Sequence, residues 1–133
     1  MTSLMCVALA IYFEARGEPL SGQIAVAQVI KNRIQDPRYP ADACAVVKQG
    51  YYWGDHPVRN RCQFSFYCDG KSDTPTDISA WRRARYLAHL TGYLPDHTDG
   101  ATHYHNHKVA PAWAMFGQVT RVIHKHTFYR GIP

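Results

Sequence analysis

Residues 3–18 read Ser-Leu-Met-Cys-Val-Ala-Leu-Ala-Ile-Tyr-Phe-Glu-Ala-Arg-Gly-Glu and begin the helical half of this 133-residue chain. The apolar side chains of this stretch recur at intervals of three and four residues, which is typical of a helix with one buried face. The pattern predicts a helix from Ser3 to Ala15 or Arg16, with the Ser3 hydroxyl as its N-cap. Gly17 interrupts the pattern, so we expect the helix to end there.

Glu14 lies on the apolar face of this predicted helix, since it follows Ile11 by three residues and Val7 by seven. A carboxylate on that face is costly unless it is paired, or unless burial raises its pKa and keeps it protonated near neutral pH. A protonated carboxyl group is what a general acid needs. Two interpretations are open: Glu14 is a catalytic acid, or it pairs with Arg33 or another buried arginine and only anchors the helix.

The rest of the sequence predicts further helices and then a small sheet. The expected helices run from about Pro19–Ser21 to Ile34, from Ala41 to Lys48 and from the N-cap Asp77 to Thr91, with Ile78, Trp81, Ala84 and Leu87 of the last helix facing inward. The expected strands, paired with each other, run from Thr102 to Val109 and from Val119 to Tyr129. Gly50–Thr76 is expected to be an irregular loop with one short strand. This order predicts an α+β fold in one domain covering residues 1–133, with helices first and a small antiparallel sheet afterwards.

Composition and charge restrict the class of protein. Apolar residues make up 46% of the chain and charged residues 19%, which excludes a largely disordered chain. No stretch approaches 18 uninterrupted apolar residues, so we expect no transmembrane helix, and the N-terminus lacks the basic leader of a signal peptide. The net charge of +5 suits a polyanionic partner, such as nucleic acid, anionic lipid or bacterial cell wall. The one basic cluster, Arg82-Arg83 with Arg85, is typical of a solvated helix face.

The four cysteines are Cys6, Cys44, Cys62 and Cys68. None forms a CxxC pair, and their spacings of 38, 18 and 6 residues do not match a zinc ribbon. Two disulfides have three possible pairings, of which Cys62–Cys68, across a short loop, is favoured. Four reduced thiols are the alternative, with Cys6 as a small core residue.

Histidines are concentrated near the C-terminus. In strands, His103, His105 and His107 would share one face, and His124 and His126 would share a face of the last strand. Alternating histidines can bind zinc, but no carboxylate or cysteine is marked by its spacing to complete such a site. We therefore expect the histidines at 103 and 105 to line a polar groove, without a metal or any other cofactor.

Aromatic residues crowd the mid-chain loop and the predicted strands. They include Tyr51, Tyr52, Trp53, Phe64, Phe66, Tyr67, Tyr104, Trp113, Phe128 and Tyr129. Aromatic faces stack on sugar rings, so this abundance fits a glycan site, but it fits core packing or single-stranded nucleic acid equally well. A glycine-rich phosphate loop, a GxSxG elbow and an HExxH motif are absent from the sequence.

A family resemblance runs through nearly the whole chain. Ile11-Tyr-Phe-Glu-Ala-Arg-Gly-Glu-Pro19 is followed by Gly22-Gln-Ile-Ala-Val-Ala-Gln-Val-Ile-Lys-Asn-Arg33, and together they resemble the opening of the SleB-type cell wall hydrolases, the spore-cortex-lytic enzyme family. Further similar segments follow in the family's order: Tyr39-Pro40, Cys44–Val47, Cys62–Phe66, Cys68–Gly70, Ala101–His105, Pro111–Trp113 and His126–Arg130.

The resemblance implies a lysozyme-like catalytic domain that cuts peptidoglycan between N-acetylmuramic acid and N-acetylglucosamine as a lytic transglycosylase. It also implies that Glu14, the first Glu of the EARGE motif, is the catalytic acid. Glu18 is expected to be structural or to orient Arg16. By motif and chemistry, the candidates for contact with substrate are Glu18, Gln63, Phe64, Ser65, Tyr104, His105 and Tyr129.

Bacterial peptidoglycan is therefore the expected partner, rather than nucleic acid, and we expect a monomer with no integral membrane segment. The missing leader and wall-binding domain fit a phage lysin made in the host cytoplasm, or an isolated catalytic domain. A hydrolytic muramidase is the main alternative. A non-catalytic wall-binding module and a zinc-dependent amidase are weaker ones. No catalytic role is assigned to His103, His107, His124 or His126.

Overall fold

The computed structural model describes all of residues 1–133. The α-helices are α1 (Ser3–Ala15), α2 (Leu20–Gln35), α3 (Ala43–Val47) and α4 (Ile78–Thr91). The strands are β1 (Gly50–Trp53), β2 (His56–Cys62), β3 (His103–Asn106), β4 (Gln118–Ile123) and β5 (His126–Arg130), and two 3₁₀ helices cover Ser65–Cys68 and Ala112–Phe116. This arrangement confirms the predicted α+β class. No α-helix has both the length and the apolar composition that crossing a membrane requires.

Side-chain oxygens set where three of the four α-helices begin. The Thr2 hydroxyl accepts a backbone N–H from the first turn of α1, so the predicted cap at Ser3 is one residue too late. Asp42 caps α3, which is therefore shorter than predicted. Asp77 caps α4 as predicted. Each cap satisfies a backbone N–H that the helix itself leaves without a partner.

The helix α1 is central and packs against the other three α-helices. On one side, α1 forms a buried cluster with α2 and α3 that includes Cys6, Ala10, Val26, Ile30 and Val46. On the other side, it forms a buried cluster with α4 that includes Ala8, Ile11, Tyr12, Ala84 and Leu87. The inward positions predicted for Ala84 and Leu87 are confirmed, and Trp81 is partly buried. Ile78 is exposed instead, because it lies in the first turn of α4, where the helix has only begun to pack.

The strands β1 and β2 form an antiparallel hairpin within the segment predicted to be an irregular loop with one short strand. Gly54, with φ of 59°, allows the tight turn between them. Neither strand has a buried face, since their residues are exposed or only partly covered. The sequence therefore lacks the alternation of apolar and polar residues that marks a half-buried strand.

The second sheet has the antiparallel strand order β3-β5-β4. The predicted strand Val119–Tyr129 is wrong as one strand, because it is a hairpin with its turn at His124-Lys125. His124 has φ of 52°, which is outside the range of a β-strand. His124 and His126 thus do not share a face of one strand. At the other edge of the sheet, side chains from both faces of β3 line a neighbouring cavity.

Both disulfides tie short elements together. Cys62–Cys68 joins the end of β2 to the end of the first 3₁₀ helix, which confirms the favoured pairing. Cys6–Cys44 joins α1 to α3. No cysteine is free, so the alternative of four reduced thiols is wrong.

Candidate active site

A cavity of about 470 Å³ opens between the C-terminal end of α1, the segment that follows β2, and the edge strand β3. It is lined by Glu14, Arg33, Cys62–Ser65, His103–Asn106, Val109, Pro111, Trp113 and His126. A groove of about 500 Å³ between α1 and α4 is slightly larger and is lined by Thr2, Leu4, Met5, Arg82, Arg85 and Tyr86. That groove has no carboxyl group or histidine, so it offers no proton donor or acceptor for catalysis near neutral pH. Because the first cavity holds a largely buried carboxyl group among aromatic and polar side chains, we take it, the Glu14 cavity, as the candidate active site.

Glu14 supplies the single carboxyl group in the lining of the Glu14 cavity. It lies in the last turn of α1 and is largely covered by surrounding residues. Burial raises the pKa of Glu14 from 4.5 to about 7, a backbone hydrogen bond from Ser65 acts in the opposite direction, and the negative charge of Asp69 raises the pKa further. A carboxyl group with this pKa is present in both protonation states near neutral pH and can donate or accept a proton there.

Arg33 lines the same cavity but does not pair with Glu14. Its Nε donates to the Thr102 carbonyl at 2.6 Å, and its two terminal nitrogens donate to the side-chain oxygens of Gln49 and Gln63 at 3.3 Å each. The guanidinium is thus bound to neutral oxygens from three other parts of the chain. The interpretation of Glu14 as a helix anchor paired with Arg33 is therefore wrong. Arg33 instead fixes the position of Gln63 in the cavity wall.

The β3 side of the cavity is a wall of rings. The Trp113 ring centroid lies 5.0 Å from that of His103 and 5.8 Å from that of His105. Burial, aided by the nearby positive charge of Arg33, lowers the pKa of His103 to about 4, so its ring is neutral at neutral pH. His105 Nε2 lies 2.8 Å from the Tyr129 hydroxyl. Ring faces with polar edges are typical of surfaces that bind carbohydrate.

Tyr104 and Phe64 close the interior side of the cavity. Phe64 is 2% exposed and packs into the helical core, with its ring centroid 6.4 Å from that of Tyr104. Burial, together with the charge of Glu14, raises the pKa of Tyr104 well above its ordinary value, so its hydroxyl keeps its proton. Tyr104 therefore offers a hydroxyl to the cavity, whereas Phe64 mainly supports the wall from behind.

Glu18 lies outside the cavity, just beyond the end of α1, with a side chain that is 6% exposed. One of its oxygens is 2.7 Å from His124 Nδ1, and the other accepts the Lys125 backbone N–H at 3.2 Å. Burial opposes its ionisation, but these hydrogen bonds and the nearby histidines lower the pKa of Glu18 overall. The expected orientation of Arg16 by Glu18 is wrong, because the Arg16 guanidinium lies over the Tyr12 ring, 4.5 Å from its centroid. Glu18 fastens the β4–β5 turn to the junction of α1 and α2.

The cavity brings together six of the eight site residues predicted from the sequence. These are Glu14, Gln63, Phe64, Ser65, Tyr104 and His105. Tyr129 lies behind His105, to which it is hydrogen-bonded, and is not part of the lining. No three histidine, cysteine, aspartate or glutamate side chains converge in a way that could hold a metal ion.

Several further residues that bear on the cavity, among them Arg33, Asp69 and His126, were not assigned to it from the sequence. Arg33 had a detectable signal, because it shares the apolar side of α2 with Val29 and Ile30. Asp69 and His126 lie in the family-like segments Cys68–Gly70 and His126–Arg130, but their spacing gave no indication that they approach the cavity. Asp69 follows the first 3₁₀ helix and His126 begins β5, and their distances to Glu14 depend on how those elements pack.

Sequence comparison identifies the family. Residues 17–129 match the cell wall hydrolase family. This range begins three positions after Glu14 and includes all the remaining residues that line the Glu14 cavity. The chain is 36% identical over 126 residues to the spore cortex-lytic enzyme of Halalkalibacterium halodurans, covering 94% of this chain and 34% of that protein. It is 32% identical over 124 residues to the spore cortex-lytic enzyme of Bacillus subtilis, covering 92% and 35%. The chain thus spans about a third of the length of these relatives.

Two solved structures share the fold. The catalytic domain of the Bacillus cereus SleB protein is 26% identical, with a TM-score of 0.71 and coverage of 96% of this chain and 89% of that one. The catalytic domain described as the germination-specific lytic transglycosylase SleB of Bacillus anthracis is 28% identical, with a TM-score of 0.74 and coverage of 96% and 93%. From its sequence match and its fold, the chain belongs to the cell wall hydrolase family and is similar over nearly its whole length to the SleB catalytic domain.

Proposed function

We propose that this chain is a peptidoglycan lytic transglycosylase that cleaves the bond between N-acetylmuramic acid and N-acetylglucosamine. The observation that carries the proposal is a single carboxyl group of raised pKa in a cavity walled by aromatic rings. Similarity to a catalytic domain described as a lytic transglycosylase supports the reaction class. In this proposal residues 1–133 act as one catalytic domain, as a monomer, on the bacterial cell wall, and the reaction needs neither metal nor cofactor.

The first step is proton donation by Glu14. The protonated carboxyl group donates to the glycosidic oxygen while the bond from that oxygen to C1 of the muramic acid breaks. The bonding electron pair leaves with the oxygen, which becomes a hydroxyl group of the departing N-acetylglucosamine. Positive charge develops at C1 and the ring oxygen, next to the carboxylate that Glu14 has now become.

The second step closes a ring within the sugar. The C6 hydroxyl of the same muramic acid forms a bond to C1, and the Glu14 carboxylate takes the proton that this hydroxyl releases. The product is a 1,6-anhydro sugar, Glu14 is protonated again, and no water is consumed. A pKa of about 7 suits both steps, because one group must give up a proton and then recover one.

The walls of the cavity supply contacts for the sugar chain. The Trp113 and His103 rings offer faces for stacking on a pyranose ring. Because Gln63 accepts from Arg33 through its oxygen, its amide N–H groups are left to donate to sugar hydroxyl or acetamido oxygens. Ser65 adds a hydroxyl at the edge of the lining, beside the Glu14 carboxyl group.

A hydrolytic muramidase is the competing reaction, and it would require a second carboxylate to act as nucleophile or to activate water. Asp69 is the structural candidate, because its charge contributes to the raised pKa of Glu14. Asp69 is outside the cavity lining, however, and its Oδ1 accepts the Lys71 backbone N–H. This geometry favours the single-carboxyl reaction.

Substitution of Glu14→Gln tests the proposal. The amide keeps the size of the side chain but cannot donate or accept the required proton, so we expect turnover of purified peptidoglycan to fall by about 100-fold or more. Thermal unfolding should show that the variant is folded. Asp69→Asn is the matched control and should stay within a few-fold of wild-type turnover. Substantial activity in Glu14→Gln, or an equally deep loss in Asp69→Asn, would contradict the single-carboxyl mechanism.

A further inference from the structure

His126 is a buried side chain in the lining of the Glu14 cavity with an unpartnered polar atom. The residue is 4% exposed. Its Nδ1 is enclosed and makes no hydrogen bond. The ring is held in place by Tyr104 and Phe128, with centroids 5.0 and 6.2 Å away. A buried polar atom without a partner is costly, so the fold retains His126 at the expense of stability.

The Glu18 carboxylate lies close to one ring nitrogen of His126. Glu18 Oε1 lies 3.6 Å from His126 Nδ1, a close approach that is slightly longer than a hydrogen bond. His124 and the Lys125 backbone N–H hold this carboxylate in place. A bare lone pair on Nδ1 would face the negative charge of Glu18, so the proton is favoured on Nδ1. A neutral imidazole protonated there has an unprotonated Nε2, which is a hydrogen-bond acceptor.

The surroundings keep the His126 imidazole neutral. Burial lowers its pKa, the charge of Glu18 raises it, and the positive forms of His105, His124 and His107 lower it, with a net decrease. The ring is therefore uncharged at neutral pH. Its Nε2 makes no hydrogen bond to the protein, and the ring faces the same cavity as the Glu14 carboxyl group.

We propose that His126 contacts the substrate in the Glu14 cavity and that Glu18 is its positioning residue. Nε2 of His126 accepts a hydrogen bond from a hydroxyl group or an acetamido N–H of a bound sugar, while Glu18 keeps the proton on Nδ1. The sugar ligand in this inference rests on the proposed function. The position of the proton on the imidazole does not.

The tautomer is tested directly by ¹⁵N NMR of the histidine ring nitrogens at neutral pH, with no substrate present. The expected spectrum shows a protonated Nδ1 and a bare Nε2 for His126. Glu18→Gln should increase the population of the other tautomer. A protonated Nε2 in the wild-type protein overturns the inference, whatever reaction the chain performs.

A pair of substitutions separates substrate contact from a structural role. His126→Asn can keep an N–H group directed at Glu18 from a position near that of Nδ1, but it has no atom at the position of Nε2. His126→Gln can place its carbonyl oxygen near the position of Nε2. With soluble glycan strands as the probe, we expect His126→Asn to raise KM by roughly fivefold to tenfold with little change in kcat, and His126→Gln to recover most of that loss.

His89→Asn, at an exposed position of α4 outside the lining, is the control and should match wild type. A KM in His126→Asn equal to that of wild type overturns the inference. If the wild-type protein releases no glycan fragments, the proposed function fails instead, and the His126 contact is then judged by NMR. The His126 Nε2 resonance of the Glu14→Gln variant should move when intact glycan strands are added, and an unmoved resonance overturns the contact.

Discussion

Glu14 occupies the last turn of α1, where surrounding residues keep water from fully solvating its carboxyl group. In the proposed mechanism the carboxyl group must be protonated to start the reaction, so kcat/KM should fall above about pH 7, approaching tenfold per pH unit. Initial rates on soluble glycan strands between pH 5 and 9, at constant ionic strength, measure this dependence. A value of kcat/KM that keeps rising up to pH 9 would be inconsistent with Glu14 as the acid.

The same carboxyl group should also affect stability. Its pKa is about 7 in the folded chain and 4.5 ordinarily, so the unfolded chain releases the proton first as pH rises. The free energy of unfolding of wild type should therefore decrease between about pH 4.5 and 7, by up to roughly 3 kcal/mol. Above that range the titration of Glu14 should cause no further decrease. Glu14→Gln lacks this titration, so its Tm relative to wild type should increase from pH 5 to pH 8. Calorimetry at the two pH values tests the sign, and an unchanged difference would mean that burial does not shift the pKa.

The two disulfides should contribute differently to stability and to activity. Cys6–Cys44 closes a longer loop than Cys62–Cys68, with separations of 38 and 6 residues. Chain entropy predicts losses of about 4 and about 2 kcal/mol when the respective bridges are removed. However, Cys62–Cys68 spans Gln63–Ser65, which lies in the cavity wall.

We therefore expect opposite rankings for stability and activity. Cys6→Ala with Cys44→Ala should lower Tm more, while leaving turnover near wild type at temperatures where the variant is folded. Cys62→Ala with Cys68→Ala should lower Tm less but reduce turnover severalfold, because the cavity wall is no longer held. Denaturation and rate measurements on both double variants test this, and the same ranking in both assays would disprove it.

The elements also show how far the sequence determines this structure. The α-helices are predictable because their apolar residues recur at helical spacing and, in α4, because Asp77 supplies a recognisable cap. The hairpin β1–β2 is not predictable, since neither strand has a buried face that would require apolar and polar residues to alternate. The β4–β5 turn is also not predictable from the sequence, because it is held by Glu18, which lies more than 100 residues away in the chain.

The candidate active site, too, is only partly predictable from the sequence. Glu14 is predictable as an unusual carboxyl group, because a position on an apolar helix face can be read from local spacing. The surroundings of Glu14 are not predictable, because Asp69 and His126 reach the cavity only through long-range packing. The first 3₁₀ helix packs against α1, and Phe128 of β5 packs against Ala25 and Val29 of α2. Long-range packing leaves no periodic signal in one sequence.

For the molecule as a whole, the net charge of +5 should attract it to an anionic cell wall. Arg82, Arg83 and Arg85 are exposed on α4 and form no ion pairs. Such attraction is screened over roughly 8 Å at physiological salt. Sedimentation of the Glu14→Gln variant with purified walls should therefore decrease as salt rises. Cleavage of a short neutral oligosaccharide by wild type should depend on salt much less, and an equal dependence would exclude a role for the net charge in wall binding.

If Glu14 works without a second carboxylate, the sugar ends that it releases differ chemically from those of a hydrolase. A tethered C6 hydroxyl can have an effective concentration of roughly 10⁵ M or more, so it outcompetes water that no protein group activates. Mass spectrometry of fragments released from peptidoglycan in ¹⁸O-water should show 1,6-anhydro-N-acetylmuramic acid ends. These ends should be one water lighter than hydrolysis products, unlabelled and resistant to borohydride. Predominantly reducible muramic acid ends that carry ¹⁸O would exclude a mechanism with Glu14 alone and require a second catalytic group, with Asp69 as the first residue to substitute.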